Sequence, residues 1–378
     1  MGTPTPPRPL TLPRVLRATL LVVLVLPFAT MTGMTLWITD FASVGRELSA
    51  AHWGWLALAL ATFFVQYPLL ALRWWLLLDV PGGRRPPLTE MTGLMLVAHL
   101  FDLVIPGPAG DLAVSYLLKI RRGVTMAGAT AAGAYGRLFG LILLATLPLI
   151  LAPTVTDELP LLVERTLDGG MIVATAAALV MFGLAVHPRG WGWLVHSTAG
   201  LVPGRLRSSP GVLGRGFRSL VAYLVAFADH ARRIAATPAR MAGAAVLSVA
   251  VIVVNVAVFY LVFLGLGEQL PVTWVAFAFC SLMLAQVAGF GIPGGGNVTA
   301  PVVCLAVMGG LMGIDEARVV TVLFLSWTPN VLACGVGLVI ALPNLDHISR
   351  SLRVDPADAD PPGPYPDECT ACRDAPAI

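Results

Sequence analysis

Long apolar runs, each close to the length that crosses a lipid bilayer, are the feature that most constrains this chain. A membrane helix needs about 20 mostly apolar residues. Only 12% of the residues are charged, 57% are hydrophobic, and the mean hydropathy is +0.82. These values exclude a soluble globular enzyme, a disordered chain and a disulfide scaffold. The sequence therefore predicts an all-α polytopic membrane protein with about six full spans, at 18–38, 52–78, 126–152, 171–187, 241–267 and 317–342.

Two further apolar segments are interrupted in the middle. Segment 88–118 contains Ile-Pro-Gly-Pro-Ala-Gly-Asp at 105–111, and segment 272–313 contains Ile-Pro-Gly-Gly-Gly-Asn at 292–297. Proline and glycine cannot continue a helix there, and each flanking arm is too short to span a bilayer. Irregular backbone at membrane depth survives only where protein or a polar cavity covers it. We therefore expect two re-entrant helical hairpins.

Basic residues indicate which loops face the cytoplasm. The positive-inside rule assigns the loops rich in Arg and Lys to that side, and these are 1–16, 79–90, 119–122 and 188–240. The external loops are not enriched in basic residues, and these are 39–51, 153–170 and 314–316. Both termini should thus be cytoplasmic, in a multi-pass protein of the inner cell membrane. Residues 212–236 have the pattern of an amphipathic helix lying at the membrane surface.

The order of segments suggests internal symmetry. A cytoplasmic arm, 1–16, precedes a membrane domain over 17–342, and a tail rich in Pro and Asp, 343–378, is expected to be disordered. The halves 17–152 and 171–342 each read span, span, hairpin, span, but begin on opposite sides of the membrane. Such inverted repeats are typical of secondary transporters, whose paired broken helices mark a binding site near the midplane.

Motifs of common enzymes and cofactors are absent from the sequence. It has no Gly-x-x-x-x-Gly-Lys-Ser/Thr loop, no Gly-x-Ser-x-Gly elbow and no His-Glu-x-x-His. Cys369 and Cys372 form a Cys-x-x-Cys without further ligands at suitable spacing, so no metal or other cofactor is expected. The net charge of +3 is too small to indicate a nucleic-acid partner.

Ionisable residues inside apolar segments are the best candidates for function. A charge at the bilayer centre costs about 2.5–3.5 kcal/mol on insertion scales. Arg137 lies eleven residues into the span that begins at 126, so it needs compensation, for which Asp102 and Asp111 are available. The alternatives are a lipid-binding arginine and a structural ion pair. Asp111 could instead cap the half-helix after the break, and His99, on the same helical face as Asp102, could relay protons or simply be hydrogen-bonded.

The remaining candidates surround the two breaks. Arg73, with Trp74 and Trp75, has the pattern of an interfacial anchor at the end of a span. Polar residues of the second half, Asn297 and Asn330 among them, more often bond across helices than bind substrate. The full candidate substrate-binding set is Arg137, Asp111, Asp102, Arg73, Pro106, Gly107, Gly110, Pro293, Gly294, Gly295 and Asn297.

These residues resemble the membrane-embedded flippase domain of lysyl-phosphatidylglycerol synthases and its stand-alone relatives, over roughly 20–342. The resemblance rests on four features: Arg73-Trp74, the run 106–111 where the family has Pro-Gly-x-x-Gly-Glu, Arg137, and Pro-Gly-Gly at 293–295. Several positions where the family carries charge differ here, and they are Asp111 for glutamate, Val114, Gly140, Thr299-Ala300 and Trp327. The resemblance implies movement of a polar lipid between leaflets, with an altered substrate or reduced activity.

Three functions stay open at this point. The leading one is translocation of a polar, anionic or aminoacylated phospholipid or lipid-linked molecule between leaflets. The others are secondary transport of a small solute, and a non-transporting role as membrane partner of a lipid- or glycan-modifying enzyme. Membrane lipids are the expected partners, together with a possible homo-oligomer or enzyme. An enzyme is the class least expected, because lysyl transfer in the resembled proteins belongs to a separate soluble domain and only 36 residues follow position 342.

Overall fold

A computed structural model describes residues 41–80, 85–104, 109–155, 212–288 and 301–351, with isolated positions at 33 and between 175 and 187. These residues are helical or in short connections, and no strand occurs among them. The predicted spans 18–38 and 171–187 lie almost wholly outside the described residues, as do both Pro-Gly breaks. Contacts divide the chain into one unit up to Gly337 and a second from Leu338 onward.

The helices follow the apolar segments closely. Thr125 caps the helix that begins at Met126, since its side chain accepts a hydrogen bond from the Gly128 amide. The last helix runs to Ser351, past the expected start of the tail at 343. In chain order the helices are α1 (Phe41–Ala50), α2 (Trp53–Leu77), α3 (Leu88–Val104), α4 (Ala109–Arg122), α5 (Met126–Leu151), α6 (Val212–Ala235), α7 (Pro238–Gly265), α8 (Val272–Ala288), α9 (Pro301–Leu311) and α10 (Glu316–Ser351).

Four described helices are long and apolar enough to cross a membrane, judged by length and composition: α2, α5, α7 and α10. The helices that flank the breaks are shorter. Helices α3 and α8 each have 17 residues, which extend about 26 Å. This length is less than the roughly 30 Å of a bilayer's hydrocarbon core. The coarse prediction of an all-helical membrane protein is confirmed for the described residues.

Helices α2 and α7 pack antiparallel and share the most extensive contact between any two described helices. The His52 amide at the start of α2 donates to the Gly265 carbonyl at the end of α7, at 2.7 Å. Farther along, Asn255 Nδ2 donates to Gln66 Oε1 at 3.2 Å. On α2 the buried residues recur every three or four positions, which keeps them on one face, and these are Ala59, Phe63, Tyr67, Ala71 and Trp74.

The outer surface of the bundle is apolar, while several polar side chains are inside. Val246, Val253 and Ile150 are 67%, 59% and 69% exposed. Arg73 and Ser248 are 8% and 1% exposed. Soluble proteins show the opposite tendency, because their charged residues are almost never fully buried unless paired. The distribution therefore fits a chain whose surrounding solvent is lipid.

The predicted interfacial anchor is wrong for two of its three residues. Arg73 and Trp74 lie inside the bundle, with 8% and 2% exposure. Trp75 Nε1 donates to the Pro86 carbonyl at 3.1 Å, and the Arg85 guanidinium lies 4.5 Å from its ring centroid; a place for Trp75 at the membrane interface stays a prediction. Partial burial is the main cause that lowers the pKa of Arg85. The nearby positive charge of Arg240 lowers this pKa further, and the negative charge of Asp79 opposes the shift.

The amphipathic helix α6 lies against the first half of α5. Tyr135 donates its hydroxyl hydrogen to the Ala231 carbonyl at 3.1 Å, and the Thr130 and Tyr223 hydroxyls are 2.6 Å apart. Leu220 is 52% exposed on the outside of this helix. The predicted helix at 212–236 is thus present at Val212–Ala235. Its position at the membrane surface remains a prediction.

Candidate functional site

Arg137 joins two carboxylates inside the bundle. It is the twelfth residue of α5, about 16 Å along the axis from the first. Its Nη2 donates to Asp102 Oδ2 at 2.7 Å, and its Nε donates to Asp111 Oδ2. The expected compensators of this arginine are therefore the ones the structure provides. The Arg137 and Asp102 side chains are 36% and 32% exposed, whereas that of Asp111 is only 10% exposed.

Asp102 also connects the two arms of the first broken segment. Its Oδ1 accepts a hydrogen bond from the Gly110 amide at 2.8 Å, so the end of α3 caps the start of α4. The capping role considered for Asp111 thus belongs to Asp102. Asp111 lies in the first turn of α4, where a negative charge is favoured by the helix dipole, and its carboxylate binds Arg137.

Glycines allow the close contacts around the cluster formed by Arg137, Asp102 and Asp111. A Cβ atom on Gly110 would lie 2.3 Å from the Ala98 carbonyl oxygen, a distance that real side chains do not reach. On α5, a Cβ on Gly133 would lie 2.6 Å from Trp74 Cζ2 and 3.1 Å from Asp111 Cγ. Gly140, in contrast, faces open space. The glycines at 110 and 133 are therefore required by packing.

A second arginine is buried beside the cluster. Arg73 Nη1 donates to Ser248 Oγ on α7 at 3.1 Å. A Cβ on Gly136 would lie 2.9 Å from Arg73 Nε, so this glycine makes room for the guanidinium. Sequence reasoning did not identify Ser248 or Gly133. A lone hydroxyl in the apolar sequence of α7 was the signal available for Ser248.

His99 belongs to a separate group of residues. Its ring lies 5.8 Å from that of Tyr67 and 6.5 Å from that of Phe63, centroid to centroid, and its Nε2 is buried with no hydrogen-bond partner among the described residues. Within the described part of the chain, no hydrogen bond joins it to Asp102. These contacts give no support to a relay with Asp102, and the role of His99 stays a prediction.

Six of the candidate binding residues lie outside the described residues: Pro106, Gly107, Pro293, Gly294, Gly295 and Asn297. The described members of the set, Arg73, Asp102, Gly110, Asp111 and Arg137, come together around the first break. Among the described residues, no group of three or more His, Cys, Asp or Glu could hold a metal ion. The cluster's chemistry is that of a guanidinium that can bind an anion.

The open part of the Arg137 guanidinium defines this binding capacity. Nε and Nη2 each donate one N–H to a carboxylate, while Nη1 has no hydrogen-bond partner within the described ranges. Guanidinium groups match phosphate geometry with two parallel donors. Nη1 and the second N–H of Nη2 can therefore bind a phosphate while both carboxylates stay in place.

Comparison with known proteins agrees with the architecture. The family model for the lysylphosphatidylglycerol synthase TM region matches residues 16–339. This chain belongs to that family. The match confirms the resemblance drawn from the sequence motifs and extends over nearly the whole membrane domain. Membership of this family, together with the four long apolar helices, makes the chain a membrane protein.

One relative of this chain is named as a glycosyltransferase. Glycosyltransferase AglD of Haloferax volcanii is 25% identical over 295 residues, which cover 72% of this chain and 45% of that protein. The chain thus spans less than half the length of the curated relative it matches.

Two variants of Asp102 separate its cap from its charge. Asp102→Asn retains an oxygen acceptor for the Gly110 amide but loses the negative charge that faces Arg137. Asp102→Ala loses both the acceptor and the charge. We expect Asp102→Ala to lower the thermal unfolding midpoint in detergent more than Asp102→Asn, by the equivalent of about 1 kcal/mol, the usual contribution of a helix cap. Equal destabilisation by both variants would mean that the cap contributes nothing measurable.

Proposed function

We propose that this chain moves a polar phospholipid or lipid-linked molecule, anionic or aminoacylated, between the leaflets of the cell membrane. The observation that carries the proposal is the partly exposed Arg137 in the middle of α5, whose Nη1 has no hydrogen-bond partner among the described residues. A charge at this depth is by default functional. The head-group phosphate would bind Arg137 while the acyl chains remain in lipid.

The carboxylates beside Arg137 suit such a ligand. The charges of Arg73, Arg137, Asp102 and Asp111 formally cancel, so the empty site is neutral. An arriving phosphate binds the remaining donors of Arg137 and adds negative charge beside both carboxylates. Asp102, with 32% of its side chain exposed, can then turn to an ammonium group of an aminoacylated head group. The start of α4 adds a partial positive charge from its backbone amides.

The proposed architecture places the site between two re-entrant hairpins. In this reading α3 with α4, and α8 with α9, each enter and leave on one side of the membrane. Three features support it: these helices are too short to span, α3 packs on α4, and the equivalent spans α2 and α7 run antiparallel. Paired broken helices in inverted repeats mark midplane binding sites in transporters.

Labelling of single cysteines tests the orientation that this architecture requires. In a variant whose five native cysteines are replaced by serine, Ser49→Cys should react from outside intact cells with a membrane-impermeant maleimide. Ala236→Cys should react only after permeabilisation. Both positions are exposed, at opposite ends of the bundle. The reverse pattern would contradict cytoplasmic termini and the inverted repeat.

A leaflet-exposure assay tests the activity itself. The full chain would be reconstituted in liposomes with fluorescent phosphatidylglycerol, lysyl-phosphatidylglycerol or phosphatidylcholine, and a quencher that cannot cross the bilayer would be added outside. We expect faster loss of the protected fraction for the anionic or aminoacylated lipid than in protein-free liposomes. Uptake of inorganic phosphate without any lipid movement would indicate a small-solute transporter. No movement of either would indicate a non-transporting membrane partner.

A further inference from the structure

A buried guanidinium lies next to the cluster without a hydrogen-bonded carboxylate. Arg73 is 8% exposed, and its one hydrogen bond to a side chain in the described part of the chain is with Ser248. Its Nε is buried and has no hydrogen-bond partner among the described residues. An unpaired donor on a buried charged group is costly. A neutral side chain would hold α2 against α7 without that cost.

Two glycines of α5 bring Arg73 and Asp111 to the same helix face. A Cβ on Gly136 would lie 2.9 Å from Arg73 Nε, and a Cβ on Gly133 would lie 3.1 Å from Asp111 Cγ. Helical residues three apart are neighbours, with about 5–6 Å between their Cβ atoms. The guanidinium and the carboxylate therefore lie about one helical turn apart, within electrostatic reach of each other. Neither glycine interposes a side chain between them.

We propose that Arg73 is the reserve partner of Asp111 and takes this carboxylate when Arg137 turns to a phosphate. The proposal rests on the proposed function, because it describes the same cluster with a head group bound. A phosphate on Arg137 shares that guanidinium's charge with Asp111, whose side chain is only 10% exposed, and a buried carboxylate short of positive charge is strongly unfavourable. The free Nε of Arg73 removes this obstacle. Arg73 is thus a positioning residue, which acts on the phosphate only through Asp111 and Arg137.

A double-mutant cycle tests the exchange in the full chain purified in detergent. The probes are dihexanoyl-phosphatidylglycerol and inorganic phosphate, and dissociation constants are measured by calorimetry. We expect Arg73→Gln to weaken binding about tenfold when Asp111 is present, but less than about twofold in the Asp111→Asn background. Binding of the lipid alone would assign the site to a head group, whereas binding of both probes would assign it to phosphate in general.

A matched control separates the exchange from helix packing. Ser248→Ala removes the hydroxyl that holds Arg73 but keeps its charge, and we expect binding within about twofold of wild type. If Arg73→Gln costs the same with and without Asp111→Asn, the proposal is overturned and Arg73 is purely structural. If the wild type binds neither probe, the proposed function fails, and the exchange fails with it.

Folding of the variants is also informative. If Arg73→Gln fails to fold but Arg73→Gln/Asp111→Asn folds, Asp111 already depends on Arg73 in the empty protein, and the reserve role is contradicted. If neither folds, the cycle is measured with Arg73→Lys, which keeps the charge but lacks Nε. In that case a loss of binding confined to the background with Asp111 supports the exchange. An equal loss in both backgrounds contradicts it.

Discussion

Arg137→Ala is expected to slow translocation of an anionic lipid about tenfold to a hundredfold, with little change in the yield of folded protein. Hydrogen bonds to charged groups contribute about 1.5–3 kcal/mol each, and every 1.4 kcal/mol is a factor of ten in affinity. The substitution also leaves Asp102 and Asp111 opposed only by the buried Arg73. The cluster then becomes formally negative and repels a phosphate. The leaflet-exposure assay, at matched protein content, measures the effect.

The chain contains a matched control for this variant. Arg318, near the start of α10, also joins two carboxylates: its Nε donates to Glu47 Oε2 at 2.9 Å and its Nη1 donates to Glu268. Its side chain is 31% exposed, similar to the 36% of Arg137. Arg318→Ala removes the same charge from an equivalent triad outside the site. Translocation should therefore stay close to the wild-type rate.

Further variants distinguish a binding role of Arg137 from a structural one. Arg137→Lys should restore activity only in part, because an ammonium cannot present two parallel donors to a phosphate. If Arg137→Ala fails to insert or fold, while Arg137→Ala/Asp111→Asn recovers, the residue is a structural ion pair. The lipid-binding role would then be wrong.

Gly110→Ala is expected to be the most destabilising single-methyl change in this region, at about 3 kcal/mol, the upper range for overpacking. The new Cβ would lie 2.3 Å from the Ala98 carbonyl oxygen, and a backbone atom cannot rotate away. Helices α3 and α4 must then separate, which pulls the Gly110 amide from Asp102. We expect a lower unfolding midpoint together with loss of translocation.

Gly140→Ala is the appropriate comparison, because this glycine faces open space on α5. Replacing glycine by alanine inside a helix usually stabilises it by about 0.5–1 kcal/mol. The unfolding midpoint should therefore stay the same or rise. Similar behaviour of the two variants would show that α3 and α4 do not pack as closely as described.

Helix positions and the pairing of Arg137 were predictable from the sequence. A bilayer requires a long apolar stretch for each span, so the segment predicted at 52–78 differs from α2 by one residue at each end. A charge in lipid requires compensation, and few carboxylates were available near Arg137. Asp102 and Asp111 were therefore the expected partners of Arg137.

The position of Arg73 and the cap by Asp102 were not predictable in the same way. Arginine beside tryptophan is a common interfacial pattern, and only the approach of α7 shows that Arg73 is inside. The cap depends on how α3 meets α4 across the break, which local sequence does not specify. The end of α10 was missed because charged residues such as Asp346 and Arg350 resemble the end of a span, although a helix can continue beyond the membrane.

The pairing of α2 with α7 has a consequence for biosynthesis. Arg73 and its partner Ser248 are 175 residues apart, and Gln66 and Asn255 are 189 residues apart. At about 5–20 residues per second, the ribosome needs roughly 10–35 s to make the intervening chain. During that time α2 carries an arginine and a glutamine whose final partners do not yet exist. The nascent protein must shelter these groups with water, lipid head groups or the insertion machinery until α7 arrives.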